Sequence, residues 1–249
     1  STNVPIQQYC ARNGATWEDV LAPFVLNQHR NGMLKNSLGY EGWSYYYQNG
    51  PSSIGLEDYV NSRHIYYPLR IWDCDRPVNS VGAFVFATAE RAMDMRQKPV
   101  YIVNHNQGSG GGARSSQETL DDTEQAKAWV ASIVYEGSGW TPDDVDIFNP
   151  YDGFSTFIPT TLEAFQWHGV KKGDAVDFLR GDISVEGPHP FCSGGGNLGN
   201  GRTRTAMYID SIEQLRGTAG PRQVTVKAET AICAFAPGNS GAYLCLSSV

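Results

Sequence analysis

Short apolar runs alternate with helical patterns along most of this chain, and that alternation limits the available folds more than any other feature. In VGAFVFATAERAMDM the spacing predicts a buried strand at Ala83–Ala87 running into a helix at Thr88–Met95, and KPVYIVNHN is a second strand. A helical pattern follows over 118–136, with Leu120, Val130, Ile133 and Val134 as core contacts and Gly137 as its stop. VDIFNPYDGFSTFIPTTLEAFQWHG is then a strand, a tight turn and a helix. TRTAMYIDSIEQLRG is a helix with Ala206, Ile209, Ile212 and Leu215 on one side, closed by Gly217. RQVTVKAETAICAF and SGAYLCLSS are the last two strands, a hairpin-like pair around APGN. Strands interleaved with helices imply α/β layering.

The N-terminal part is less regular. TWEDVLAPFVLNQHR predicts a helix with Thr16 as N-cap and Asp19 in the capping-box position. Residues 31–55, rich in Gly, Asn, Ser and Tyr, read as a surface excursion. Within it YEGWSYYYQNG is either a self-packed loop, the favoured reading, or the lining of a ligand cleft or partner contact. A short helix and an extended segment then lead to Asp73. NQGSGGGARSSQ, 106–117, is the candidate linker; it fits neither a P-loop nor a dinucleotide-binding fingerprint. The expected organisation is therefore 1–105, a linker at 106–117, and 118–249.

Composition removes several function classes. The net charge of -7 leaves no basic surplus for a nucleic-acid partner. No run approaches the ~18 apolar residues of a membrane span, and STNVPIQQYC has no signal-peptide pattern. Cys10, Cys74, Cys192, Cys233 and Cys245 include no CxxC, so neither a metal site nor a disulfide framework is expected, and the setting reads as cytoplasmic.

SGGGNLGNGRTRTAMY concentrates Gly194, Gly195, Gly196, Gly199 and Gly201 just before a helical pattern, with Arg202 and Arg204 following. Glycines permit positive φ and close backbone approach, and free amides at a helix start favour an anion or developing oxyanion. The two arginines would oppose the helix dipole unless an acidic ligand or neighbour offsets them. A solvent-exposed turn with salt-bridged arginines is equally open on spacing alone. In NPYDGF, Tyr151 and Asp152 follow an apolar strand, where α/β sheets place ligands. Asp152 is favoured as a turn or helix cap. Tyr151 is either a wedge or a proton donor.

Taken together, these motifs resemble the thiolase superfamily. Tyr151-Asp152-Gly153-Phe154 stands where that family has an Asn-Glu-Ala-Phe or His-Asp-Cys-Phe turn. The stretch from Gly195 to Arg202 stands where it has a Gly-Gly loop ending in Gly-His-Pro. IEQLRGTAGPRQV is similar to a segment of the lipid-transfer-protein and sterol-carrier branch. SRHIYYPLRIWDCDRPVNSVGAFVFATAERA is similar to the part of that branch leading into the last strand of its first half. The resemblance implies a thiolase-like layered fold, here the C-terminal half plus the end of the N-terminal half with its loop region.

Arg202 occupies the position of the family's loop histidine, Tyr151 that of the Asn or His, and CAFAPGNSG around Cys233 lacks the family's Cys-x-Gly context. Cys233 reads as a buried strand cysteine. The thiolase-like aldolases of steroid side-chain breakdown fit better, since they lack the nucleophilic cysteine and cleave β-hydroxyacyl-CoA esters with tyrosine acid/base groups. By that resemblance Tyr151 and Arg202 are the catalytic pair, and Asp152, Gly195, Gly196, Asn197 and Arg204 bind substrate or CoA. The coenzyme A thioester is the substrate and no separate cofactor is expected. A homodimer or heteromer is implied, with an OB-fold protein as a candidate partner. The alternatives are a degradative thiolase and a non-catalytic subunit of a complex.

Overall fold

The computed structural model describes residues 3–34, 54–107, 119–236 and 242–249. Two helices open it, α1 (Asn3–Asn13) and α2 (Trp17–Met33). Thr16 and Asp19 form the expected capping box, with Thr16 Oγ1 accepting from the Asp19 amide at 3.1 Å. A short α3 (Leu56–Asn61) leads into a small hairpin of β1 (His64–Tyr66) and β2 (Leu69–Arg70), followed by a single 3-10 turn ending at Asp73. α4 (Ala89–Met93) is one turn long and capped by Thr88.

The main sheet has the order β3-β6-β5-β4, built from β3 (Tyr101–Gln107), β4 (Ile147–Asn149), β5 (Thr230–Ala234) and β6 (Ala242–Ser247). β3 and β6 run antiparallel, as do β6 and β5, whereas β5 and β4 are parallel. The pairing of the last two strands is as the sequence predicts, although their connection at 237–241 lies outside the described residues. α5 (Leu120–Ser138) packs on β3, and α9 (Ala206–Arg216) packs on β5 and β4. Between β4 and α9 the chain makes α6 (Ile158–Phe165), α7 (Ala175–Arg180) and α8 (Gly196–Asn200). A parallel pair needs such a helical crossover.

The structure departs from the sequence reading in four places. Residues 81–87 form no strand or helix and, apart from half-buried Gly82, are exposed, so the predicted buried strand at Ala83–Ala87 is not formed. α5 runs through Gly137 and stops at Gly139, whose φ of 72° accepts the left-handed cap that a side chain would disfavour. β3 extends to Gln107 and pairs with β6, which puts the start of the predicted 106–117 linker inside a strand of the main sheet; 108–118 lie outside the described residues, as do 35–53 with all of YEGWSYYYQNG. α9 buries Met207, Asp210, Ser211, Gln214 and Leu215, while Ala206, Ile209 and Ile212 are half-buried. Its inner face is thus largely polar, because the helix packs against the end of β4 and the glycine loop rather than against a purely apolar layer.

Candidate active site

The site begins where β4 ends. Tyr151 and Asp152 follow Asn149 after a single residue, Pro150, and Gly153 comes next. A Cβ on Gly153 would lie 2.3 Å from the Tyr151 Oη, so only glycine lets the phenol fold back over the turn. Tyr151 is 6% exposed and its ring lies 6.2 Å from that of Phe157. Among the described residues no hydrogen bond occupies its Oη. Burial raises the phenol above its ordinary range, the charge of Asp75 adds to this, and Arg202 and Arg204 oppose it. At neutral pH the group is a phenol and not a phenolate.

Asp75, which the sequence reading did not single out, joins three segments. Its amide donates to the Gly153 carbonyl at 3.1 Å. Its carboxylate is fully buried and takes a bidentate ion pair from Arg202, with Nε at 2.9 Å from both oxygens and Nη2 at 2.6 Å from Oδ1. The Arg202 amide donates to the Arg76 carbonyl at 2.7 Å. Fork geometry of this kind fixes orientation as well as charge. Tyr151 and Arg202, distant in sequence, therefore belong to one cluster, held together by Asp75.

Arg204 differs from Arg202. Its backbone has φ of 58°, in the left-handed region that disfavours side chains, and its amide is held by Asn197 Oδ1 at 3.2 Å. Its side chain is exposed and has no ion pair among the described residues. Cys192, at φ 49°, is the matching strained residue on the other side of the loop. Strain bracketing a loop beside a titratable phenol is the kind of outlier that accompanies function.

The glycine loop is packed into the interior. Asp152 is 0% exposed and Asn197 0%, and Gly195 and Gly196 are buried. Asp152 accepts the Asn197 amide at 2.6 Å, the Leu198 amide at 3.2 Å and Gln28 Nε2 at 2.7 Å. The anion at the start of α8 is thus the protein's own carboxylate, and all four of these residues are buried. Burial lifts Asp152 to about 6, the three donors pulling against it. It is a cap, as its residue type suggested, but of a helix some 45 residues on.

The glycines serve close approach. A Cβ on Gly199 would lie 2.4 Å from the Gln28 carbonyl, and one on Gly195 2.7 Å from the Gly32 amide nitrogen. α2 therefore lies against the loop backbone to backbone. Asn27 and Asn31 of α2 donate to the Phe191 and Cys192 carbonyls at 3.1 and 3.4 Å. Behind the loop, Asp210 accepts Ser193 Oγ at 2.6 Å and Asn149 Nδ2 at 3.1 Å, and is ion-paired to buried Arg222. The loop is clamped on both sides.

None of the five thiols is set up as a nucleophile. Burial pushes Cys10, Cys74 and Cys245 up to about 11, and Cys192 and Cys233 higher still. Cys233 is fully buried in β5, as its sequence context predicts. No group of three or more potential metal ligands occurs among the described residues, and no helix among them is long and apolar enough to cross a membrane. A cavity of about 400 Å³ lies elsewhere, between α5 and α6, and shares no residue with Tyr151, Asp75, Arg202 or Arg204.

The chain is similar to several known proteins. The chain is 34% identical over 193 residues to the 17-hydroxy-3-oxo-4-pregnene-20-carboxyl-CoA lyase of Mycobacterium tuberculosis, covering 72% of this chain and 48% of that protein. It is 29% identical over 222 residues to a steroid side-chain-cleaving aldolase of Thermomonospora curvata, covering 86% of this chain and 53% of that one. It thus spans about half the length of these curated relatives. An acetyl-CoA acetyltransferase of Methanothermobacter thermautotrophicus is 28% identical, over 70% of this chain and 46% of that enzyme. Among solved structures, an Ltp2-ChsH2(DUF35) aldolase superposes with a TM-score of 0.77 at 24% identity, over 98% of this chain and 64% of that one, which shows the fold. Residues 108–245 match the family described as thiolase C-terminal domain-like, and the chain belongs to that family.

Proposed function

We propose that this chain carries the acid/base side of a retro-aldol cleavage of a bulky β-hydroxyacyl-CoA, of the steroid side-chain class. In that reaction the β-hydroxyl loses its proton, the Cα–Cβ bond breaks, and its electron pair passes into the thioester as an enolate. Protonation at the α-carbon completes a carbonyl product and a shortened acyl-CoA. The observation that carries the reading is the Tyr151 phenol, kept protonated by burial and by Asp75 beside the end of β4. A neutral phenol with a free Oη is a proton donor suited to the enolate. Arg202 is too basic to shuttle protons, and with its charge fixed on Asp75 it serves to position and polarise. Arg204, exposed and without an ion pair among the described residues, is the cation for the thioester oxygen or a CoA phosphate.

The names of the lyase and aldolase relatives support this reading, and the raised thiols of this chain give no support to a thiolytic one. The proposal includes a cytoplasmic setting and assembly as a homodimer or heteromer. The resemblance to aldolases that bind an OB-fold protein and the heteromeric composition of the Ltp2-ChsH2(DUF35) neighbour support a second subunit. Tyr151→Phe tests the reading in the assembled protein. It is expected to lower kcat by about 100-fold or more, as loss of a general acid does, while the far-UV spectrum and Tm are kept. An unchanged kcat would remove Tyr151 from the chemistry.

A further inference from the structure

The cavity of about 400 Å³ between α5 and α6 takes no part in the site around Tyr151. Asp121, Glu124 and Ala128 line it from α5, at the three- and four-residue spacing that shares one helix face. Thr160, Glu163 and Ala164 line it from α6 with the same spacing. The two alanines leave the space and the carboxylates charge it. A pocket of this volume, part apolar with a few fixed polar groups, has the dimensions of a small-ligand site.

Glu163 is 7% exposed. Its Oε1 is fully used, accepting the Tyr9 phenol and the amides of Gly173 at 2.9 Å and Ala175 at 3.4 Å. Its Oε2 is buried and has no hydrogen-bond partner among the described residues. A buried polar atom left in that state costs stability, and a donor brought to it removes the cost. The nearby cations are committed elsewhere. Lys127, fully buried, donates to the Phe157 carbonyl at 2.6 Å and to Thr160 Oγ1 at 2.7 Å. Arg12 and Lys172 both pair with Glu124. Asp121, exposed at the start of α5, has no ion pair among the described residues. Two carboxylates of the cavity wall, Asp121 and Glu163, thus stand without an ion pair.

We propose that this cavity binds a small aliphatic diamine, one ammonium donating to Glu163 Oε2, the methylene stem lying over Ala128 and Ala164, and the second ammonium drawn by Asp121. A metal ion is the poorer occupant, since no group of three or more potential metal ligands occurs among the described residues. The three donors on Oε1 hold the carboxylate in place, so the acceptor is ordered before the ligand arrives. A cation beside a carboxylate removed from bulk water is attracted more strongly than beside an exposed one. Burial holds the Glu163 carboxyl above its ordinary range, and a bound ammonium would oppose that shift. This inference does not depend on which reaction is performed around Tyr151.

Titration of the full 249-residue chain with 1,4-diaminobutane, at constant ionic strength, tests it by calorimetry and by amide NMR shifts. One saturable site is expected, with shifts centred on residues 121–128 and 160–164. The diamine should bind at least about 10-fold more tightly than butane-1,4-diol, which has the same length but no charge to assist its hydrogen bonds. Glu163→Gln keeps the shape of the side chain and should lower the affinity at least about 10-fold. Because Glu163 also holds the backbone at the start of α7, a second variant is needed. Ala128→Phe, at an exposed position of α5, fills the cavity and should abolish binding while Tm is kept. No saturable binding, equal binding of the diol, or diamine binding that survives either variant in the folded protein would overturn the proposal.

Discussion

The glycine loop at 192–201 and the run at 81–87 flank the same helix, α9, with opposite relations between composition and burial. The loop, glycine-rich and polar, is buried throughout. The run, Val- and Phe-rich, is largely exposed. In each case burial is decided by what lies across the gap. The loop is pressed between α2 and the Asp210–Arg222 pair, and glycine is what lets the backbones meet. The run has α9 on one side and nothing among the described residues on the other. Local composition reports what a segment tolerates, whereas packing partners decide where it sits.

The sharpest way to break this comparison is to add volume to the loop. Gly199→Val places side-chain atoms on the Gln28 carbonyl, 2.4 Å from the first of them. Overpacking against backbone on both sides is expected to cost about 3 kcal/mol or more in chemical denaturation, or to prevent folding. A small effect would mean that α2 is not clamped on the loop.

The next effect is the pH dependence contributed by the carboxylate that holds the loop. Asp152 has an ordinary value of 3.8 and stands at about 6 in the folded protein. Between those values this group binds more protons in the folded state than in the unfolded chain, so its contribution to stability falls as pH rises from about 4 to about 6 and is level above that. That contribution is on the order of 3 kcal/mol across the window. His29, which burial lowers to about 4, acts with the opposite sign over the same window, and burial raises Asp73 and Glu163 as well. The contribution is therefore read from the difference between wild type and Asp152→Asn. A difference that does not change with pH across the window would contradict the burial of this carboxylate.

A third variant separates positioning from stability. Gly153→Ala puts a methyl 2.3 Å from Tyr151 Oη, and the ring, being the end of a side chain, can move away. Stability should change by about 1 kcal/mol or less while kcat falls at least about 10-fold, since a displaced proton donor loses its reach. Equal loss of both would make Gly153 a folding residue only. The smallest effect is expected at the other region. Val85→Lys in the isolated chain should shift stability by no more than about 0.5 kcal/mol, the range of exposed positions. A loss above about 2 kcal/mol would show that this side chain is buried after all.

Much of the frame was legible in the sequence. Thr16 and Asp19 announced the start of α2, Gly217 the end of α9, and the apolar runs gave β3, β4, β5 and β6. Tyr151 and Arg202 were marked by their motifs, and the structure puts them in one cluster. Asp75 was not legible, because its partners stand 78 and 127 positions away and no local spacing signals such a contact. The polar inner faces of α2 and α9 were missed for a related reason. Asn27, Gln28 and Asn31 look solvent-facing until the loop they hold is known. Asp152 was legible as a cap, but not the helix it caps, since sequence shows the residue type and not the helix it will meet.

The central claim is that the thioester substrate is cleaved by breaking a carbon–carbon bond without a thiol nucleophile. The most direct measurement follows cleavage of a β-hydroxyacyl-CoA by the assembled protein with and without added free coenzyme A. Retro-aldol chemistry predicts equal amounts of carbonyl product and shortened acyl-CoA with no free coenzyme A required, and no acyl group on any cysteine by intact mass. Cleavage that stops without free coenzyme A, with an acylated cysteine in the protein, would contradict the account.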